Sequence, residues 1–125
     1  MEEYSISVSI IPDEDIETDY LALTGKGNLT IKKGYAWDGP SGLTIDTANF
    51  MRGSLVHDAL YQLMRNGFIN KDKWRESADK ELRKICLEDG MSSIRAWWVY
   101  KAVRLFGDRA ASEETRKEVK IAPRT

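Results

Sequence analysis

Tyr4, Ile6, Val8 and Ile10 alternate with Ser5, Ser7 and Ser9, the two-residue period of a strand that buries one face. Ile11 and Pro12 end the run, and Asp13-Glu14-Asp15 reads as a solvated turn. Tyr20 to Thr24 and Leu29 to Lys33 flank Gly25-Lys26-Gly27-Asn28, a hairpin pattern in which loop glycines supply positive φ. Gly34 to Trp37 extends the second of these strands. The N-terminal third is thus expected to be a small antiparallel meander.

The period then lengthens to that of helices. Leu55, Val56, Ala59, Leu60, Leu63 and Met64 fill one arc of a helical wheel. His57, Phe50, Tyr61, Ser54, Arg65 and Asp58 follow round from Met64, which puts His57 at the edge of the core. Asp46 or Thr47 is suited to cap this helix and Gly67 to stop it. Asn70 caps a second helix running to about Asp89, with Trp74, Ala78, Leu82 and Ile85 facing inward. Its charged positions, Asp79 and Glu81 among them, mix signs and read as a solvated face. A third helix, Ile94 to Phe106, is apolar almost all the way round, broken only by Arg95, Lys101 and Arg104. Such a helix is expected at the centre of the core with some homo-oligomer contact; a membrane-surface role is the other use of so wide an apolar face.

These elements predict an α+β fold, an N-terminal antiparallel sheet packed against about three helices. The expected organisation is one domain over 1–125: 1–37 mainly β, 38–46 a loop, 47–107 helical and 108–125 a polar C-terminal extension.

Composition narrows the function classes. A chain of 125 residues, 42% hydrophobic and 31% charged, can bury one core without metal or disulfide staples. A net charge of −1 supplies no broad positive field, which argues against nucleic acid as a partner. The one cysteine, Cys86, reads as a small buried hydrophobe, and no Cys/His set fits a structural zinc. The first residues are acidic where a signal peptide is basic, and no apolar run is long enough to span a bilayer. The expected location is the cytoplasm or an assembled particle.

Candidate chemistry gathers between Gly34 and Arg65. The loop Trp37-Asp38-Gly39-Pro40-Ser41-Gly42 cannot form regular structure and can present a carboxylate and a hydroxyl at fixed positions. Asp46 and then the helix with the only histidine, His57, follow it, with Asp58, Tyr61 and Arg65 close by. Three uses are open. Asp38, Asp46, Asp58 and His57 are a conceivable hard-cation set for Mg²⁺ or Mn²⁺, although nothing in the sequence requires a metal. Alternatively His57 takes a proton from Ser41 or from water, and Asp38 or Asp46 orients its ring. In the third, Trp37, Tyr35, Tyr61 and Arg65 form a contact patch without catalysis, and His57 is a satisfied imidazole that holds sheet to helix.

The run Gly34-Tyr35-Ala36-Trp37-Asp38-Gly39-Pro40-Ser41-Gly42, with Thr44, Asp46-Thr47 and Arg52-Gly53-Ser54-Leu55-Val56-His57-Asp58-Ala59-Leu60-Tyr61-Gln62-Leu63-Met64-Arg65, resembles a family of small uncharacterised phage and prophage proteins classed as a domain of unknown function. The resemblance is specific over roughly residues 34–65. It implies a phage or prophage origin and a shared core, and it carries no established activity. Asp38, Ser41, Asp46, His57, Asp58 and Tyr61 are the positions it marks as site candidates. The expected function is that of a phage accessory protein, with a polar cleft that binds a small ligand or peptide and hydrolyses it through His57. The alternative is a non-catalytic structural or host-interaction protein, an inhibitor or regulator, in which the cluster is a clasp.

Overall fold

The computed structural model describes residues 2–35 and 48–112. Four strands, β1 (Tyr4–Ser7), β2 (Ile16–Glu17), β3 (Leu21–Leu23) and β4 (Asn28–Ile31), form one antiparallel sheet in the order β1-β4-β3-β2. Three helices follow: α1 (Ala48–Arg65), α2 (Lys71–Glu88) and α3 (Ser93–Phe106). The α+β architecture is the one the hydrophobic periods predict.

Register explains the sheet's inner face. Tyr4 and Leu21 both lie opposite Ile31, and Ile6 and Leu23 both lie opposite Leu29, so alternate residues of three strands stack on one side. Leu21, Leu23, Leu29 and Ile31 are buried there with Val8 and Ile10. They pack against Val56, Ala59, Leu60, Leu63 and Met64 of α1, the arc the wheel predicts. A second cluster joins the three helices through Phe50, Leu82, Cys86, Met91, Ala96 and Val99. Burial, with Asp89 nearby, pushes the Cys86 thiol up to about 11, which suits a packing residue rather than a nucleophile.

Local signals set the element ends. Gly27 turns the β3–β4 hairpin at φ 83°, and Asn70 and Ser92 accept from the backbone N–H of Lys73 (2.9 Å) and Arg95 (3.2 Å) to cap α2 and α3. Arg52 of α1 reaches Glu88 and Asp89 at the end of α2 and donates to the Tyr4 hydroxyl at 2.8 Å, tying sheet, α1 and α2 together.

Four expectations need correction. Gly34 and Tyr35 do not extend β4, which stops at Ile31 before a turn; Ala36 and Trp37 lie outside the described residues. An extra edge strand, β2, follows the acidic turn. Asp79 and Glu81 of α2 are buried, because each has a partner: the Glu81 carboxylate accepts from the Ser9 amide at 3.0 Å, and Asp79 organises the cluster described below. Only Ala96 and Val99 of α3 are buried, so α3 lies on the outside of the helical layer rather than at its centre. After α3 comes a short 3-10 turn, Arg109–Ala111, with Ala111 buried.

Candidate functional site

A helical repeat places His57 and Tyr61 one turn apart on α1, and their rings meet with centroids 4.1 Å apart. Both reach the same oxygen. His57 Nε2 lies 2.7 Å from Asp79 Oδ1, and the Tyr61 hydroxyl donates to that atom at 2.6 Å. The second oxygen, Oδ2, accepts from Arg104 Nη1 of α3 at 2.9 Å, and Arg75 Nη1, one turn earlier on α2, stands 3.6 Å away. One carboxylate with no solvent exposure therefore takes partners from all three helices.

A buried carboxylate is costly unless paired and hydrogen-bonded. Burial alone would raise the Asp79 pKa, but the hydrogen bonds from His57 and Tyr61, the charge of His57 and the Arg104 hydrogen bond outweigh it and hold the group below the ordinary carboxylate range. An ionised Asp79 only accepts hydrogen bonds, so the His57 Nε2 that faces it carries the proton. In the neutral form of the ring the lone pair is then on Nδ1. Tyr61, desolvated and bonded to this carboxylate, has its pKa raised, which keeps it a hydroxyl donor. Arg75 also donates to the carbonyls of Val103 (3.2 Å) and Arg104 (3.4 Å), which fixes the end of α3 over the cluster. Gly107 makes that approach sterically possible: a Cβ there would sit 2.6 Å from the Tyr61 hydroxyl.

The other sequence candidates go elsewhere. Asp58, next to His57, points away from it and accepts from the Tyr35 hydroxyl at 2.5 Å; burial and this bond raise the Tyr35 pKa. Arg65 donates to the Ala110 carbonyl at 2.9 Å. Trp37, Asp38, Ser41 and Asp46 lie outside the described residues. Of the conceivable cation ligands only His57 and Asp58 are therefore placed, and among the described residues no group of three or more metal-ligating side chains converges. The expected polar cleft involves the same undescribed loop. A groove of about 630 Å³ lies away from His57, between Pro12–Glu17 and the turn at Gly67–Asn70.

The sequence reading thus found two members of the cluster, His57 and Tyr61, and missed three: Asp79, Arg75 and Arg104. A signal was present. On the wheel of α2, Arg75 and Asp79 flank Cys86 at the border of the apolar arc, a position suited to a paired charge rather than a free one.

A protein-family model described as "Protein of unknown function (DUF1353)" matches residues 16–103, which spans β2 to α3 and includes every residue of the cluster except Arg104. No curated protein and no solved structure matches the chain.

Proposed function

We propose, for a chain that belongs to the DUF1353 family of proteins of unknown function, a hydrolase in which His57 is the general base. The observation that carries this reading is the 2.7 Å contact between His57 Nε2 and the fully buried Asp79 carboxylate. A histidine whose far nitrogen is held by a buried carboxylate has a fixed tautomer, a fixed ring plane and a stabilised imidazolium, the three things proton abstraction needs. Nδ1 takes a proton from water or from Ser41, and Asp79 is the positioning residue that supports the charge formed on the ring. Bond cleavage in an ester or amide substrate follows, with the same proton returned to the leaving group. The resemblance around residues 34–65 supports a phage or prophage setting for this activity.

One observation favours a second reading. Asp79 joins α1, α2 and α3 at a point without solvent exposure, as a structural clasp would. In that case His57 contributes packing and one hydrogen bond, and the protein acts by binding a host or phage protein.

A panel of activated esters and amides, assayed with the wild-type chain and with His57→Ala, separates the two. The hydrolase reading expects turnover that His57→Ala lowers by about 10²–10⁴-fold. Absence of turnover across the panel, or turnover that the variant retains, with a loss of about 1–3 kcal/mol in stability, leaves only the clasp.

A further inference from the structure

Among the described residues, the outer face of α3 gathers apolar side chains that neither the core nor the His57 cluster uses. Ile94, Trp97, Trp98 and Leu105 recur at helical spacing with Lys101 among them, and all five are exposed, Ile94 and Leu105 at 72% and Trp98 at 63%. Phe106 at the helix end is 80% exposed. The two indoles meet edge to face at 5.2 Å, and the Lys101 ammonium stands 5.7 Å from the Trp97 ring centroid. From Ser93 to Phe106 the helix has three basic residues, Arg95, Lys101 and Arg104, and no acidic one, although the whole chain carries a net charge of −1. Arg104 is paired with Asp79, which leaves Arg95 and Lys101 as the positive charge on the element with the exposed indoles.

We infer that this face of α3 lies on an anionic lipid surface, with the helix in the plane of the headgroups. Indoles favour the headgroup boundary, and Leu105 and Ile94 supply the apolar side chains that enter the acyl region. Lys101 decides between occupants. In a protein interface it would be a lysine buried in the middle of an apolar stripe, whereas at a bilayer its stem can lie among the apolar groups while the ammonium reaches the phosphates. A second copy fits poorly for a related reason. Two-fold pairing about the middle of the stripe brings the two Lys101 side chains together. The inference stands independently of the His57 reading, since none of these five side chains belongs to that cluster.

The test uses the full chain and vesicles of phosphatidylcholine with and without phosphatidylserine, read by co-sedimentation and by tryptophan emission. Binding to the anionic vesicles about tenfold or more above the neutral ones, weakened by high salt, is expected, with a blue shift in emission. Trp98→Glu and, separately, Leu105→Glu should each cut that partition by about tenfold while the far-ultraviolet circular dichroism stays unchanged. Both positions are solvent-facing, so loss of fold in one variant leaves the other to decide. No binding to either vesicle, or equal binding by both folded variants, overturns the inference. So does a dimer, seen by sedimentation equilibrium without lipid, that Leu105→Glu dissociates, for then the face belongs to a second copy.

Discussion

His57 on α1 and Asp79 on α2 meet through Nε2 and Oδ1 at 2.7 Å, and this contact ties the only histidine of the chain to a carboxylate without solvent exposure. Its hydrogen-bonding and cationic partners keep that carboxylate charged against its burial. Tyr61 shares its Oδ1, Arg104 binds its Oδ2, and Arg75 adds a second cation while anchoring the end of α3.

Removing the carboxylate should therefore cost far more than removing an exposed one. Asp79→Ala strands a hydroxyl, an imidazole N–H and a guanidinium, and a loss of about 3–5 kcal/mol in urea unfolding is expected. Glu76→Ala breaks a solvent-exposed pair with Lys80 on the same helix and should lose less than about 1 kcal/mol. Equal losses would mean that Asp79 is not the hub the geometry makes it.

The lowered Asp79 pKa sets the acid limb of stability. The folded group holds its proton less tightly than the unfolded one, so its contribution is complete above the ordinary carboxylate value of about 4 and is lost as pH falls through the folded value. The gap in urea midpoint between wild type and Asp79→Asn, followed from about pH 7 down to about pH 3, should narrow toward the acid end. A gap that stays constant over this range contradicts the assignment.

Gly107 gives a steric test of the same cluster. A methyl group there would meet the Val103 carbonyl at 2.5 Å and the Tyr61 hydroxyl at 2.6 Å, contacts that only a shift of the helix end or of Tyr61 can relieve. Gly107→Ala should lose about 1–3 kcal/mol despite alanine's lower backbone entropy in the unfolded chain. Thermal unfolding checks the sign: a gain in stability would show that the end of α3 can move freely away from Tyr61.

Local signals were legible in the sequence; cross-chain pairing was not. The alternation from Tyr4, the arc of Leu55 to Met64 and the cap at Asn70 each depend on neighbours within a few residues, and each is found where those neighbours put it. Asp79 depends on residues 18 to 25 positions away, so among Lys80, Glu76 and Arg83 it looked like one more solvated charge. Asp58 shows the opposite error. It is adjacent to His57 in sequence, but successive residues of a helix point about 100° apart, and its partner is Tyr35. The apolar girth of α3 was equally ambiguous, because a helix with apolar residues all round can be central or can carry a second, unpartnered face.

The central claim is that the described geometry leaves His57 Nδ1 as the basic atom. With one histidine in the chain, a long-range proton–nitrogen spectrum of the ¹⁵N-labelled protein, recorded at a pH where the ring is neutral, reports its tautomer without overlap. The account predicts the proton on Nε2, facing Asp79, and a bare Nδ1. A proton on Nδ1 with Nε2 bare would place the hydrogen on the atom that must abstract one, and the general-base reading would fail.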